Sequence, residues 1–357
     1  MATFGVLTGG GDCPGLNAVI RAVVRRGLVD GHRFIGFHGG WPGLRDDDGH
    51  ELNLANTAGL VTRGGTILGT SRTDPLAQGA PGLKALRDTI ERRGIEAVAV
   101  IGGDGTLRAA QDLSQQGIQL VTIPKTIDND VGGTDFSVGF QTAVQIATDA
   151  IDRLHTTAES HNRVMVVEVM GRRAGWIATC SGLASGADVI LVPERPFEIE
   201  EVCDQLRRRH QSSRSFSIVV VAEGARFAEA ELQLTVPPDP YAAGDSRAGV
   251  LTAYPASAAA PTGVGFQLRD HIEARTGFDT KVTILGHVQR GGTPVAFDRI
   301  LATRFGVAAT EAMLQGRHGS MVALRGAEIV DVPLDEALRY PKTLDPNLYE
   351  TASVFFG

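Results

Sequence analysis

Residues Ala97–Thr106 read AVAVIGGDGT and give the clearest indication of the fold class. Its first five residues form an uninterrupted apolar run of strand length, which predicts a buried β-strand. The strand opens directly onto Gly102–Thr106, a glycine-rich segment that carries one carboxylate. A buried strand that ends in a glycine-rich turn before a helix is typical of parallel α/β sheets.

The same unit recurs along the chain. A short strand is predicted at Thr3–Leu7, followed by the glycine-rich Thr8–Gly15 and by a helix that begins near Asn17. Further apolar strands are predicted at Leu120–Ile123, Val164–Val169, Val189–Val192, Ser217–Ala222 and Val282–Leu285. Apolar strands that alternate with helices indicate an α/β fold with mainly parallel, helix-covered sheets. Ligands bind such sheets where the chain leaves the carboxyl ends of strands, so we expect one site built from several loops.

Length and composition narrow the class of protein. The chain has 357 residues, 43% of them hydrophobic and 21% charged, and a formal net charge of −7. This length suits two domains, and an acidic chain without a basic run predicts no nucleic-acid partner. The chain lacks an apolar stretch of the roughly 20 residues that span a bilayer, so no membrane partner is expected. Three scattered cysteines without a CxxC pair argue against disulfides and suit a reducing, cytoplasmic location.

Gly9–Gly11 lacks side chains, so its backbone N–H groups can approach a phosphate, and the helix that follows adds its positive end. Neither common phosphate-binding motif fits this loop. Pro14 stands where the dinucleotide fingerprint needs its third glycine, and Leu16-Asn17 replaces the Lys-Ser/Thr of the P-loop. Taken alone, the loop has an ordinary tight turn as its alternative interpretation.

Asp104 stands among glycines, after a strand and before a helix. In that position a carboxylate can hold Mg²⁺ while the backbone approaches a polyphosphate. The segment Gly102–Thr106 also occurs in lipid kinases and NAD kinases, so it indicates a nucleotide-using kinase more firmly than any one substrate. The alternative is that Asp104 caps the following helix.

Pro124–Asp130, PKTIDND, carries two carboxylates in a loop that follows a buried strand. One carboxylate can face a sugar hydroxyl as a general base while the other faces a metal ion. The alternative is an Asx-rich turn, because Asp and Asn favour turns in any protein.

Gly286–Gly292, GHVQRGG, places a histidine and an arginine beside paired glycines, which suits a phosphate monoester. Basic, glycine-bearing loops also occur at Arg63–Thr66, Thr70–Arg72 and Met170–Arg172. Turns of purely structural origin do not account well for so many loops of this kind in one chain.

In their order and spacing, the segments from Gly9–Asn17 to Gly286–Gly292 resemble the bacterial phosphofructokinase family across nearly the whole chain. The resemblance implies ATP-dependent phosphorylation of fructose 6-phosphate at its 1-hydroxyl, in glycolysis, with Mg²⁺ as cofactor. It also implies two α/β domains with the active site in the cleft between them. Residues 1–139 with 288–338 would bind nucleotide and Mg²⁺, and residues 140–287 with 339–357 would bind fructose 6-phosphate. The Ala- and Pro-rich segment 228–262 is expected to be a surface insertion.

The resemblance assigns roles to individual residues. Those implied for catalysis are Asp128, the general base, with Arg172 and Thr126. Those implied for the metal are Asp104 and Asp130. Those implied for the phosphoryl donor are Gly11, Ser71, Arg72, Gly103, Asp104, Gly105, Thr106 and Lys125. Those implied for the sugar phosphate are Thr126, Asp128, Asp130, Arg163, Met170, Gly171, Arg172, Glu223, Lys281, His287 and Arg290.

Two of the implied substrate residues point to an oligomer. In the family, the equivalents of Arg163 and Lys281 reach in from a neighbouring subunit, which implies a homotetramer or a homodimer. Lys281 stands where the family usually has arginine. It retains the charge but lacks the bidentate fork, so we expect a weaker grip on the 6-phosphate.

Gly105 and Lys125 bear on the phosphoryl donor. Gly105 resembles ATP-using members of the family, in which the absent side chain leaves room for the nucleotide; pyrophosphate users commonly have Asp there. Lys125 resembles the pyrophosphate users, although actinobacterial-type ATP enzymes combine Gly with Lys. We expect ATP as the donor, because a side chain at position 105 that blocks the nucleotide pocket is a harder constraint than the added ammonium of Lys125. The alternative is a pyrophosphate-dependent phosphofructokinase.

Two further alternatives belong to other classes. An NAD kinase or a lipid kinase shares the Asp104 loop, but the His287–Arg290 segment and the Asp128 loop count against it. A non-catalytic sugar-phosphate sensor would be favoured by loss of Asp128 or Asp104, and both are present. Cys13 lies in the first loop but is expected to pack as a small apolar residue.

Overall fold

The computed structural model describes residues 1–211, 215–228 and 263–356. The predicted insertion at 228–262 lies outside these residues, apart from Ala228. The chain forms two compact units, one of residues 1–142 and 290–342 and the other of residues 143–289 and 343–357. The predicted division of nucleotide and sugar binding between two halves of the chain, and the predicted cleft, stay predictions.

Strands and helices alternate along most of the chain. The described strands are β1 (Thr3–Thr8), β2 (Arg33–Phe37), β3 (Gly49–Leu52), β4 (Ile95–Gly102), β5 (Leu120–Pro124), β6 (Val164–Val169), β7 (Val189–Leu191), β8 (Ser217–Ala222), β9 (Thr280–Ile284), β10 (Ser320–Arg325) and β11 (Glu328–Pro333). The described α-helices are α1 (Leu16–Leu28), α2 (Trp41–Arg45), α3 (Ala80–Arg93), α4 (Asp104–Gln115), α5 (Phe140–His161), α6 (Trp176–Ser185), α7 (Ile199–Gln211), α8 (Val264–Thr276), α9 (Ala296–Leu314), α10 (Leu334–Ala337) and α11 (Pro346–Ser353). Two 3-10 turns lie at Leu60–Thr62 and Gly286–Arg290.

The first unit is built on a seven-stranded sheet in the order β11-β10-β5-β4-β1-β2-β3. The strands from β10 to β2 are parallel to their neighbours, whereas β3 and β11 pair antiparallel at the two edges. The sequence patterns predicted β1, β4 and β5 but not the inner strands β2 and β10 or the edge strands β3 and β11. Edge strands are half-exposed and short or polar, so they lack the continuous apolar run that marks a strand covered on both faces.

Helices α1 and α9 pack against each other in this unit. Gly306 of α9 is buried at their crossing, where an added Cβ would lie 2.6 Å from the Cβ of Ala22 and 2.9 Å from the carbonyl oxygen of Val19. The Thr310 hydroxyl donates a hydrogen bond to the Val23 carbonyl of α1 at 3.0 Å. The missing side chain of Gly306 therefore lets the two helix backbones approach closely.

The second unit has a four-stranded sheet in the order β7-β8-β6-β9, and all of its strand pairs are parallel. Strands β6 and β8 are buried along their whole length and have the predicted bounds. The last strand was predicted at Val282–Leu285, but β9 begins earlier, at Thr280. Its edge position leaves Lys281 and Ile284 exposed, so its apolar run is shorter than the strand.

The predicted fold class is confirmed, because both units are α/β with mainly parallel sheets. Among the described residues, none of the helices combines the length and the hydrophobicity that crossing a bilayer requires.

We expect Gly306→Val to lower the free energy of unfolding by about 1–3 kcal/mol, because the added side chain would force α1 and α9 apart. Urea and thermal unfolding curves would measure the loss. The matched control is Ala308→Val, which adds bulk at a half-buried position of the same helix. Equal midpoints for the Gly306→Val variant and the wild type would show that the crossing tolerates the side chain.

Candidate active site

Three loops of the first unit meet at one edge of its sheet because β5, β4 and β1 are neighbours and parallel. The backbone ladder continues past the ends of the strands. The Gly9 N–H donates to the Ile101 carbonyl at 2.9 Å, and the Lys125 N–H donates to the Gly102 carbonyl at 2.9 Å. The loops that begin at Gly9, Gly103 and Lys125 therefore lie side by side, as predicted from the carboxyl ends of the strands.

The first loop is also tied to the predicted donor residue Ser71. The Gly10 N–H donates to the Ser71 carbonyl at 2.8 Å, and the Thr70 hydroxyl donates to the Gly10 carbonyl at 2.7 Å. Gly10 has a φ of 80°, which lies in the left-handed region that favours glycine. Hydrogen bonds to Thr70 and Ser71 therefore hold the first loop in place, and the backbone conformation at position 10 favours glycine.

Two other glycines allow side chains to approach the loop backbone. An added Cβ at Gly9 would lie 2.6 Å from the Cγ2 of Thr106, and one at Gly11 would lie 2.8 Å from an Nη of Arg290. Arg290 also donates to the Asp12 carbonyl at 3.3 Å, while its Nε is buried and makes no hydrogen bond to the described residues. The sequence grouped Arg290 with His287, but the structure places Arg290 against the Gly11 loop in the first unit.

Lys125 brings a second cation to the same loop. Its side chain is 2% exposed, and its ammonium donates to the Gly11 carbonyl. Burial lowers the pKa of Lys125, and the positive charges of Arg290 and Arg72 lower it further. Lys125 and Arg290 therefore bring positive charge to the backbone of the first loop, which suits an anionic phosphate group.

Asp104 lies in the first turn of α4, where its carboxylate forms an ion pair with Arg108 at 2.9 Å. No group of three or more His, Cys, Asp or Glu side chains among the described residues could hold a metal ion by itself. Mg²⁺ differs from zinc in needing only one or two carboxylates, since phosphate oxygens and water complete its shell. The half-exposed carboxylate of Asp104 beside a phosphate-type loop fits that requirement.

The loop that carries Asp128 is held by its own side chains. The Asp128 N–H donates to the Thr126 hydroxyl at 3.1 Å, and the Ser137 hydroxyl donates to the Thr126 carbonyl at 2.7 Å. Asn129 is fully buried and has a φ of 52°. Its side chain accepts from the Ser137 N–H at 3.0 Å and donates to the Asp135 carbonyl at 3.3 Å. The left-handed turn at Asn129 separates the two predicted carboxylates.

The second unit gathers another set of predicted residues. Met170 follows β6 and Glu223 follows β8, two strands that end in register. The Gly224 N–H donates to the Gly171 carbonyl at 3.1 Å, which joins the loop of Gly171 and Arg172 to that of Glu223. The Met170 N–H donates to the side chain of Gln289 at 3.3 Å, which connects this edge with the turn of His287.

Arg163 and Lys281 lie at the opposite end of the same sheet. Arg163 precedes β6, and Lys281 is the second residue of β9. Both side chains form ion pairs with Asp279. Hydrogen bonding to Lys281, and then the charge and hydrogen bond of Arg163, lower the pKa of Asp279. A six-residue strand is about 20 Å long, so one chain does not bring this pair together with Met170 and Glu223.

Sequence reasoning missed several residues around these sites. Asn129 lies between the predicted residues Asp128 and Asp130. Asp279 lies two residues before Lys281, and side chains two residues apart in an extended segment lie on the same face, so this spacing was a signal for Asp279. Glu168 is a buried carboxylate that accepts from the Gly265 N–H at 2.8 Å. Burial raises the pKa of Glu168, and the negative charge of Glu223 raises it further. An apolar strand pattern gives no signal for such a residue.

The loops of the first unit offer backbone donors, cations and separate carboxylates at the carboxyl ends of parallel strands. This arrangement is typical of enzymes that transfer phosphoryl groups, which rely on alignment and positive charge more than on covalent help from the protein.

Comparison with known proteins narrows this class. The family model described as phosphofructokinase matches residues 3–313. A Streptomyces coelicolor protein named pyrophosphate–fructose 6-phosphate 1-phosphotransferase is 52% identical over 99% of both chains. A Mycobacterium leprae protein named ATP-dependent 6-phosphofructokinase is 49% identical, again over 99% of both chains. The crystal structure of Pichia pastoris phosphofructokinase in the T-state matches with a TM-score of 0.81 and 31% identity, over 99% of this chain and 36% of that one.

The chain belongs to the phosphofructokinase family and is a phosphotransferase. The family resemblance and the enzyme class predicted from the sequence are confirmed. The roles of individual residues stay predictions.

We expect the Cys13 thiol to resist alkylation in the native protein. It is fully buried, donates to the Val138 carbonyl at 3.3 Å, and has its pKa raised by burial to about 12. At pH 8 only about one molecule in ten thousand would then carry the reactive thiolate. Iodoacetamide labelling read by mass spectrometry should spare Cys13 in native protein and label it in urea. Rapid native labelling would contradict the packing role.

Proposed function

We propose that the protein transfers the terminal phosphoryl group of ATP to the 1-hydroxyl of fructose 6-phosphate, which yields fructose 1,6-bisphosphate and ADP in glycolysis. The observation that carries this proposal is the contact of the buried Lys125 ammonium with the Gly11 carbonyl, in a loop that is also bonded to Ser71 and lies beside the loop of Asp128. Family membership supports the same reaction.

In this reaction the Asp128 carboxylate accepts the proton of the 1-hydroxyl. The hydroxyl oxygen then forms a bond to the γ-phosphorus, while the bond from that phosphorus to the bridging oxygen of ADP breaks. A positioned general base contributes about 10²–10⁴-fold. The remaining acceleration comes from alignment and from positive charge around the transferring group, which we assign to the Gly11 N–H, Arg72 and Arg172.

A magnesium ion would be held by Asp104, with Asp130 nearby, and would neutralise charge on the donor phosphates. Ser71, Gly103 and Thr106 would contact the donor from the loops on either side. This assignment is supported by the place of Asp104 in the first turn of α4, where the positive helix end also favours phosphate.

ATP as the donor is supported by Gly105. An added Cβ at this position would meet no atom within 4 Å, so the space beside the helix start is open for the rest of a nucleotide. A carboxylate in that space would face the donor phosphates, and like charges brought together cost several kcal/mol. The name of the Mycobacterium leprae relative agrees with this donor.

Pyrophosphate is the second candidate donor, favoured by Lys125 and by the name of the Streptomyces coelicolor relative. The ammonium of Lys125 donates to the Gly11 carbonyl, so it shapes the first loop whichever donor binds. Gly105 constrains donor size more directly than this buried cation does, and for that reason we place ATP first.

The sugar phosphate would be contacted by Met170, Gly171, Arg172 and Glu223 at the carboxyl end of the second sheet, with His287 and Arg290 on its 6-phosphate. Arg163 and Lys281 lie at the other end of that sheet, so we propose that they serve the site of a neighbouring subunit in a homotetramer or homodimer. Three free cysteines support a cytoplasmic location.

Initial rates with fructose 6-phosphate and Mg²⁺ would test donor and base together. We expect turnover with ATP, little with pyrophosphate, and a fall in kcat of about 10²–10⁴-fold for Asp128→Asn. The matched control is Asp112→Asn, an exposed carboxylate on α4 that should leave the rates unchanged. Faster turnover with pyrophosphate would exchange the two donor candidates, and activity with neither donor would favour a sugar-phosphate sensor.

Gly105→Asp should raise the KM for ATP at least about tenfold and leave the KM for fructose 6-phosphate within about twofold, because the new carboxylate repels the donor phosphates. Gln115→Asp adds the same charge at an exposed position of the same helix and serves as the control. An unchanged KM for ATP in Gly105→Asp would remove Gly105 as a donor determinant.

A further inference from the structure

The loop of Asp128 has no regular secondary structure to hold it. Strand β5 ends at Pro124 and helix α5 begins at Phe140, and Asp128 lies in the long connection between them. A loop of this length keeps one geometry only if its backbone groups find partners elsewhere. Its position therefore depends on side chains inside the loop and on whatever packs against it.

The outer side of the loop packs against residues 337–342. An added Cβ at Gly132 would lie 2.5 Å from the Ala337 carbonyl oxygen and 2.6 Å from that of Tyr340. Only a residue without a side chain permits such an approach, so the two backbones are in direct contact. The segment that follows α10 is thus the support on which this loop rests.

Lys342 ends this support and bonds to the loop twice. Its N–H donates to the Asp130 carbonyl at 3.0 Å, and its ammonium donates to the Asp135 carbonyl. The same ammonium lies 5.8 Å from the centre of the Phe136 ring. The Asp135 carbonyl also accepts from the Asn129 side chain, so two donors share one oxygen.

We propose that Lys342 is a positioning residue for the proposed base Asp128. Its two hydrogen bonds hold the loop at Asp130 and at Asp135, which both follow the left-handed turn at Asn129. Holding these residues fixes the orientation of the turn and therefore the position of Asp128, which directly precedes it. The inference rests on the proposed function, because it takes Asp128 as the base. Lys342 lies beyond residues 3–313, the part of the chain that the family model matches.

A purely structural role is the competing explanation. Lys342 is the last residue of the first unit, so its bonds can simply stabilise the end of that unit before the chain continues into the second. The two roles differ in what they change. Loss of a purely structural contact lowers the free energy of unfolding and the amount of active enzyme. Loss of positioning instead lowers kcat in fully folded enzyme and leaves the KM values close to those of the wild type.

The test compares Lys342→Met, which removes the side-chain donor to the Asp135 carbonyl but retains the backbone bond to Asp130 and most of the apolar side chain, with Lys342→Arg, which restores a cationic donor. Displacement of a catalytic group by about 1 Å can cost about 10²-fold. We therefore expect Lys342→Met to lower kcat about 10–100-fold with both KM values within about threefold, and Lys342→Arg to recover most of it. Lys84→Met, at an exposed lysine paired with Asp88, is the control and should match the wild type.

The decisive measurement places Lys342→Met in the Asp128→Asn background. If Lys342 acts through Asp128, the double variant should retain the residual kcat of Asp128→Asn within about threefold. A further fall as large as that in the wild-type background, or a wild-type kcat for Lys342→Met, would overturn the proposal. If Lys342→Met does not fold, Lys342→Leu, which also lacks a side-chain donor, undergoes the same comparison.

Failure of the proposed function gives a different result. If Asp128→Asn retains full activity, Asp128 is not the base, whatever Lys342 does. If Asp128→Asn is inactive and folded Lys342→Met is fully active, the proposed function stands and the positioning role of Lys342 is wrong.

Discussion

The parallel register of β1, β4 and β5 is the constraint on which the candidate site depends. Thr8 pairs with Ile101 and Gly102 pairs with Pro124, so the three strands end at almost the same level. Parallel strands place all their carboxyl ends at one edge, and the chain must leave each strand there through a loop. Groups far apart in sequence, such as Gly9 and Lys125, become neighbours without any direct attraction between them.

Burial of charge shapes what these loops can do. An ammonium inside a protein loses its hydration, and Lys125 compensates for only part of that loss through the Gly11 carbonyl. Burial and the nearby arginines lower its pKa, so a bound anion would stabilise its charged form. The buried Nε of Arg290 makes no hydrogen bond to the described residues, so a bound anion would supply a partner for it.

The polar groups of the second sheet lie in two sets, one at each end of its parallel strands. Residues that follow β6 and β8 lie at one end, and the Arg163–Asp279–Lys281 cluster lies at the other. A short parallel strand cannot bring its two ends together, so these sets cannot act on one small molecule within a single chain. We proposed above that Arg163 and Lys281 serve the site of a neighbouring subunit, and the strand geometry gives that proposal a physical reason.

The sequence alone determined the α/β class, the strands β1, β4, β5, β6 and β8 and the glycine-rich loops, because buried parallel strands are continuous apolar runs and glycine marks close backbone approach. It also predicted Gly11, Ser71, Thr106 and Lys125 as partners in one site, and the structure brings them together in the first unit. Tertiary structure decided strands β2, β3, β10 and β11, the contact of Arg290 with Gly11, the Asp279 cluster and the bonds from Lys342 to the Asp128 loop. These features depend on which segments pack together, and a local pattern of residue types does not encode partners so far apart along the chain.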